Sequence, residues 1–521
     1  MPVSELPTIN LDTAFISLPQ MIALHARHKG SKPALIQEKQ ILDYKELDQR
    51  MDQVAATLQQ AGLQPGDSIA ICALNSINYA TLFLGALRAG IAVAPLAPSS
   101  TPASLLGMLR DSAARLLFVD QSVKPSIEQI ADQLQCPLVA LDDHAAPGFS
   151  NWLGDTPLQP VEIDPQWVFN IIYSSGTTGE PKGIVQSHAM RWSHIQRSVQ
   201  FGYDEDSTTL ISTPLYSNTT LVSFLPTLAL GGTVVLMAKF DATRYLQLAA
   251  QHRATHTMLV PVQYQRIMDR EDFANFDLGN FRVKFCTSAP FHAALKADIL
   301  ARWPGGLVEF YGMTEGGGSC MLAAHLFPNK LHTVGKPLEG HDMRVIDEDG
   351  QELPHGEIGE VVGHSPAMMT GYLNKPEKTA EAEWFDAEGK RFIRTGDVGR
   401  FDDEGFLTLM DRRKDMIISG GFNIYPSDLE AELRQHPALE DVTVIGVRSR
   451  SWGETPVAYA VLRAGSSEST ESILSWFNQR VGKTQRLARL LFTDELPRSA
   501  IGKVLKRELR DAFQAEHGEL D

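Results

Sequence analysis

Cysteine is scarce in this chain: Cys72, Cys136, Cys286 and Cys320 are the whole supply in 521 residues. They lie far apart, form no Cys-x-x-Cys pair and have no histidine cluster beside them, which excludes a disulfide framework and a zinc site as organising features. Positive charge is also in deficit, because 47 Lys and Arg stand against 63 Asp and Glu, a formal charge of −16. Such a balance argues against nonspecific binding to nucleic acid or acidic lipid, so a bound nucleotide has to be met by local positive charge. Long apolar runs are missing too. The two stretches that come nearest, 79–96 and 219–237, are interrupted by Arg88, Gly90 and Pro95 and by Pro226, Gly231 and Gly232, and neither can cross a bilayer. The opening residues, Met-Pro-Val-Ser-Glu-Leu-Pro, lack the basic region and apolar segment of a secretory signal. The expectation is a cytoplasmic protein, a monomer or homodimer, with no nucleic-acid partner and no membrane insertion.

What is present is an ordinary globular composition, 43% hydrophobic, in a chain long enough for about three or four folding units. Helical periodicity at 43–56 precedes a strand pattern at 68–74, a helix at 79–89 and a strand at 91–95. The same alternation returns at 233–237, 257–260 and 283–286, which points to an α/β fold with layered, largely parallel sheets. From Leu353-Pro-His-Gly-Glu-Ile-Gly onward, short strands and glycine turns predict a small barrel-like β subdomain. After Lys414 a compact α+β unit is expected, with strands at 442–447 and 457–462 and a helix at 468–480.

The most informative segment is Tyr173-Ser-Ser-Gly-Thr-Thr-Gly-Glu-Pro-Lys-Gly183, which follows the apolar strand pattern 167–172. Glycine lets a backbone turn its amides toward an anion, Ser174, Ser175, Thr177 and Thr178 add neutral donors, and Lys182 adds a point charge. This is a polyphosphate-binding composition, yet the lysine is not followed by the hydroxyl that a P-loop requires. Four further segments carry compatible chemistry. Tyr311-Gly-Met-Thr-Glu315 combines an aromatic face, a hydroxyl and a hard carboxylate suited to Mg2+. In Arg394-Thr-Gly-Asp397 a carboxylate follows a turn glycine, able to meet two ribose hydroxyls or to cap its own backbone. Residues 405–426 read as a strand, a charged break from Asp411 to Asp415 and a glycine-rich return, where the chain leaves one domain for another. Leu496-Pro-Arg-Ser-Ala-Ile-Gly-Lys503 presents a lysine on a glycine turn, able to neutralise charge on a phosphate.

Taken together and in this order, the five segments resemble the adenylate-forming superfamily of acyl-CoA synthetases, amino-acid adenylation domains and beetle luciferases. The resemblance implies a large N-terminal domain over 1–413 and a small mobile C-terminal domain over 414–521, hinged near Lys414. It implies that Ser174, Ser175, Gly176, Thr177, Thr178, Gly179 and Lys182 hold phosphates, that Tyr311 stacks on the adenine, and that Ala289 and Gly312 belong to the same ATP/AMP site. It implies further that Thr314 meets the α-phosphate, that Thr178 and Glu315 carry Mg2+, that Asp397 meets the ribose hydroxyls and Arg412 the ribose or phosphate, and that Lys503 is the adenylation lysine. By the same route Gly420, Gly421, Trp452 and Arg486 are expected at a CoA site, closest in pattern to acyl- or aryl-CoA ligases.

The activity implied is ATP-dependent formation of acyl-AMP and transfer of the acyl group to CoA. Loading of a carrier protein by a fatty acyl-AMP ligase shares the first half-reaction and stays open. An amino-acid adenylation domain is disfavoured, because Pro214-Leu-Tyr-Ser-Asn-Thr lacks the aspartate that pairs a substrate amine. A non-enzymatic nucleotide-binding protein is disfavoured by the retention of Lys182, Glu315, Asp397, Arg412 and Lys503. Where relatives carry a histidine or large aromatic, this chain has Ser217, which either widens the acyl pocket beside Tyr216 and Asn218 or satisfies a backbone group. Gly316 and Gly317 are expected to remove volume from the wall of that pocket, giving room for an aromatic or medium-chain acid. His188 and Trp192 are either core residues or ligand contacts.

Overall fold

Local capping sets the helices that build the core. Asp43 accepts a hydrogen bond from the Glu46 N–H while the Glu46 carboxylate accepts one from the Asp43 N–H, and this reciprocal box starts helix Tyr44–Gln60. Ser76 caps helix Ile77–Arg88, whose residues from Tyr79 to Leu87 are buried without a polar face, so that helix has to be covered on all sides. The computed structural model describes residues 10–142, 148–174, 181–420, 422–499 and 502–520.

Two large sheets organise these helices. In one, strands Gly306–Gly312, Val283–Cys286, His256–Leu259, Thr208–Ile211, Thr233–Leu236 and Pro33–Gln37 lie side by side and parallel. Antiparallel partners flank them, Ser319–Ala323 at one end and Gln40–Asp43 at the other. In the second, strands Val168–Ser174, Ala92–Leu96, Ser68–Cys72, Leu117–Val119 and Leu138–Ala140 are parallel, and Lys182–Ser187 returns antiparallel beside Val168–Ser174. One continuous core takes residues from both sheets, including Leu35, Ile71, Val93, Phe118, Phe169 and Val234. This is the layered α/β architecture that the strand and helix alternation predicts.

By its internal contacts the chain falls into two compact units. The first is Met1–His332, Pro337–Asp342 and Gly363–Ile393, and the second is Thr333–Lys336, Met343–Val362 and Arg394–Asp521. Strands Asp342–Ile346, Gly359–His364, Arg391–Phe401 and Glu383–Phe385 pair in that order, with Leu407–Arg412 on Arg391–Phe401, and the chain passes between the units within these strands. This is the short-stranded segment expected from Leu353, and it begins earlier, at Asp342. The contact division groups Arg394–Arg413 with the C-terminal segment, whereas the sequence reading sets them before the break. Pairing across Glu360 accounts for it, since Arg394 and Arg413 both contact that carboxylate, at 2.7 and 3.2 Å.

The C-terminal segment forms the expected α+β unit. Strands Phe422–Ile424, Ile417–Ser419, Gly453–Leu462 and Leu439–Ser449 are antiparallel neighbours, and Arg489–Phe492 pairs parallel with Gly453–Leu462. Helices Pro426–Leu433 and Thr470–Asn478 supply Leu429, Leu433, Ile473 and Phe477 to one core, while Leu509 and Phe513 of helix Lys506–His517 meet Ile445, Val447 and Val457 in another. Among the described residues no helix is long and apolar enough to cross a membrane. All four cysteines are free, three of them buried.

Candidate active site

In the first unit the site is built on the hairpin formed by Val168–Ser174 and Lys182–Ser187. Register across this ladder sets Ser174 opposite Lys182 and Tyr173 opposite Gly183, so the first and last charged or hydroxylated residues of the phosphate-type loop stand side by side at its base. Ser175, Gly176, Thr177, Thr178 and Gly179, expected to hold phosphate, lie outside the described residues. Gly183 is tightly surrounded: a Cβ there would sit 3.0 Å from Ile171 and 3.1 Å from the Tyr173 ring.

The second segment reaches the same hairpin through a residue that sequence reasoning missed. Tyr311 and Gly312 end strand Gly306–Gly312, opposite Cys320 and Ser319, and the chain then turns through Met313, Thr314 and Glu315. The Glu315 carboxylate accepts a hydrogen bond of 2.7 Å from the Tyr372 hydroxyl, while Lys182 Nζ lies 4.9 Å from the centre of the Tyr372 ring. Tyr372 thus joins the loop lysine to the candidate metal carboxylate. Burial, and then the neighbouring Glu315 charge, push the Tyr372 phenol well above its ordinary pKa, so it stays protonated and donates. The backbone holds this arrangement as well. Gln186 Nε2 donates to the Thr314 carbonyl at 2.8 Å, and the Met369 N–H donates to the Glu315 carbonyl at 2.7 Å. In the sequence Tyr372 gives no signal, because its meaning depends on a partner 57 residues away.

Packing explains the glycines after Glu315. A Cβ on Gly316, whose φ is +73°, would lie 2.1 Å from the Ala367 carbonyl oxygen, and one on Gly317 would lie 2.5 Å from Ile393 Cβ. The Cβ direction at each glycine is filled by these neighbours, which is a packing reason for glycine at both positions. Ser217 does satisfy a backbone group. It caps helix Asn218–Ala229, its hydroxyl accepting from the Thr219 N–H at 3.3 Å. Next to it the Thr219 and Ser288 hydroxyls hydrogen-bond at 2.6 Å, with Ser288 held at φ +80° immediately before Ala289. Tyr216 is half-buried, and burial pushes its phenol up to about 12. His188 and Trp192 are core residues, 2% and 4% exposed; His188 packs edge-on against Phe169, and burial lowers its imidazole to about 4.

In the second unit, Asp397 and Arg412 are direct cross-strand partners, with Arg412 Nε 3.7 Å from Asp397 Oδ1. The sequence reading sets Asp397 on a turn, whereas it lies inside strand Arg391–Phe401 at a register shift between Asp397 and Gly399, and Gly396 just before it has φ +72°. Across this shift the partner strand Leu407–Arg412 carries one residue more than Arg391–Phe401, so the bulge lies opposite Asp397 and not in its own strand. Lys414 occupies the bend between strands Leu407–Arg412 and Ile417–Ser419. Both sides of the bend are anchored. Asp411 accepts from the Ser427 N–H at 3.0 Å, and Asp415 meets Arg510 at 3.0 Å. Burial raises the Asp411 carboxyl to about 6, against the opposing pull of Lys506.

Of the residues expected at a CoA site, Gly420 and Trp452 are in contact. The Gly420 N–H donates to the Trp452 carbonyl at 2.8 Å, Gly420 has φ +56°, and an added Cβ would lie 2.8 Å from the indole. Trp452 is 44% exposed, Arg486 is exposed after the turn Lys483–Gln485, and Gly421 lies outside the described residues. Lys503 closes a small loop: its N–H donates to Ser499 Oγ at 3.2 Å, Arg498 bridges to Val504, and Gly502 has φ +75°. The expected glycine turn is therefore present.

Comparison with known proteins follows these segments. Residues 22–373 match the family described as AMP-binding enzyme, and residues 428–503 match the AMP-binding enzyme C-terminal domain. The chain is 31% identical over 506 residues to the fatty acid–acyl-carrier-protein ligase ScoC of Streptomyces coeruleorubidus, covering 95% of this chain and 96% of that one. It is 34% identical over 483 residues to a feruloyl-CoA synthase of an Amycolatopsis species, covering 91% and 94%. Among solved structures, ATP-bound MatB from Rhodopseudomonas palustris superposes with a TM-score of 0.83 at 29% identity, covering 96% of this chain and 99% of that one.

Proposed function

Since the chain belongs to the family of AMP-binding enzymes, we propose that it is an ATP-dependent carboxylate–CoA ligase acting on an aromatic acid of the benzoate or hydroxycinnamate type or on a medium-chain acid. The observation that carries this reading is the junction of Lys182, Tyr372 and Glu315 at the base of the phosphate-type loop, where a cation and a hard carboxylate share one aromatic bridge.

In the first step a carboxylate oxygen of the acid attacks the α-phosphorus of ATP and the bond to pyrophosphate breaks, leaving acyl-AMP. Ser174 and Lys182, with the loop between them, neutralise the departing pyrophosphate, Thr314 holds the α-phosphate, and Tyr311 stacks on the adenine. Asp397 and Arg412, paired across their strands, present a carboxylate and a guanidinium to the ribose and phosphate. One oxygen of Glu315 is taken by Tyr372, and the other, with the Thr178 hydroxyl, would hold a hard cation such as Mg2+, which would withdraw charge from the phosphates. Lys503 supplies positive charge at the α-phosphate during displacement, where positioning and electrostatics supply most of the catalysis. In the second step the C-terminal domain turns about Lys414, a thiol sulfur attacks the acyl carbonyl as its proton is lost, and AMP leaves. Gly420 and Gly421 give the pantetheine arm room, while Trp452 and Arg486 meet the adenine and phosphate of CoA. The working protein is a cytoplasmic monomer or homodimer.

The likeness to ScoC favours one second reading, in which the thiol belongs to a carrier protein. Pyrophosphate release from a panel of alkanoic, benzoic and arylpropenoic acids, with ATP and Mg2+ and with or without CoA, separates the two. Sustained turnover that requires CoA supports the ligase reading. A single burst that CoA does not extend supports carrier loading, and no pyrophosphate from any acid defeats both.

A further inference from the structure

Between the nucleotide segment and helix Asn218–Ala229 sits a charge that the reaction scheme does not use. Arg191 is 1% exposed, and its four hydrogen bonds all go to side-chain amide oxygens. Nε and Nη2 donate to Asn170 Oδ1 at 3.1 and 2.9 Å, Nη2 also donates to Gln186 Oε1, and Nη1 donates to Asn218 Oδ1 at 2.9 Å. Asn170 and Gln186 are themselves fully buried and bonded to each other at 2.9 Å. No carboxylate pairs with Arg191 among the described residues, and the sequence holds no acidic residue between Glu180 and Asp204. A guanidinium has five N–H donors, so one on Nη1, the nitrogen that faces Asn218, lacks an acceptor among the described residues.

A buried guanidinium with no carboxylate partner keeps a desolvation penalty that its amide contacts and the Phe169 ring, 5.7 Å from Cζ, offset only in part. Stability therefore does not account for three amides assembled around one arginine. Their arrangement has two directed consequences. Gln186, fixed by Arg191, donates to the Thr314 carbonyl, and Asn218, whose oxygen is turned to Arg191, has its NH2 directed elsewhere as a donor. Asn218 is half-buried and begins the helix that Ser217 caps beside the candidate acyl site.

We propose that Arg191 is a specificity-determining positioning residue: with Asn218 it makes one side of the acyl site an electropositive donor surface, selecting acids that carry a second oxygen acceptor, anionic above neutral. The proposal rests on the acid-ligase reading for the location of the acyl site. Uncompensated positive charge in a low-dielectric interior acts over several ångströms, so direct contact with Arg191 is not required.

The test uses matched acids: hexanoate, ω-hydroxyhexanoate and hexanedioate, and p-methyl-, p-hydroxy- and p-carboxycinnamate. For the wild-type enzyme, kcat/KM for pyrophosphate release is expected to favour the oxygenated members over the methyl members by about tenfold or more, with the second carboxylate highest in at least one series. Arg191→Met is expected to lose or invert that order, and Arg191→Lys to keep part of it; a merely structural arginine would lower all members alike. Thermal stabilisation by each acid in the presence of AMP gives the same ranking without turnover. If Arg191→Met does not fold, the wild-type ranking and Asn218→Leu, expected to narrow the ratio, decide the matter. A wild-type preference for the methyl members, an order unchanged in Arg191→Met, or no stabilisation by any of the acids overturns the proposal. Pyrophosphate release led by methyl members would overturn it while leaving the ligase reading intact. Stabilisation in the expected order without pyrophosphate release from any acid would do the reverse.

Discussion

Tyr372 shows how much one hydroxyl can hold in place. Its O–H restrains the Glu315 carboxylate and its ring lies against Lys182, while its apolar edge packs with Ile184, Met369 and Ile393. Tyr372→Phe keeps that packing and removes only the restraint on Glu315. The expected result is a rise of about tenfold in the Mg2+ concentration needed for half-maximal pyrophosphate release, with little change in thermal stability. An unaltered Mg2+ titration would remove Glu315 from the metal site. Lys503 makes a different demand, because its proposed role belongs to one half-reaction only. Lys503→Ala should abolish acyl-AMP formation and leave thioester formation from supplied acyl-AMP largely intact. Equal loss of both steps, measured separately, would count against the role.

At the scale of elements, the bend at Lys414 joins two strands whose flanks are pinned in different ways. Asp411 is held by Ser427 and lies 3.9 Å from Lys506, which also reaches Glu430 at 2.9 Å, and Asp415 is held by Arg510. Ser427, Glu430, Lys506 and Arg510 all follow the bend, so a turn about Lys414 has to release the Asp411 flank while the backbone torsions between the flanks absorb the change. Lys414→Pro fixes φ at about −65° and should spare acyl-AMP formation while blocking transfer to CoA. A normal thioester yield would remove the hinge assignment. Helix Asn218–Ala229 illustrates the opposite case, in which an element explains a residue: Ser217 is where it is because this helix needs an N-cap.

Across the whole molecule, buried imidazoles tie stability to pH. His188 falls to about 4 from an ordinary 6.5, with burial the main cause, and its Nε2 has no hydrogen-bond partner among the described residues. The unfolded chain binds the proton more readily, so this contribution is fully present above pH 6.5. It is lost as pH falls from 6.5 toward 4, at about 1.4 kcal/mol per pH unit. His188→Phe should therefore show a smaller drop in Tm between pH 7 and pH 5 than the wild type, and equal drops would show that His188 is not the titrating group. The sequence by itself determined the order of strands and helices, the five chemical segments and the residue types they present, because backbone preference, burial period and motif spacing are local properties. It did not show that Tyr372 joins Lys182 to Glu315, that Ala367 and Ile393 fill the space beside Gly316 and Gly317, or that Asp397 faces Arg412 across a register shift inside a strand. Nor did it show that Asn170, Gln186 and Asn218 enclose Arg191. Tertiary structure alone decided these, since each depends on which distant strands and helices become neighbours, and a hydrogen bond or a steric limit exists only once both partners are in place.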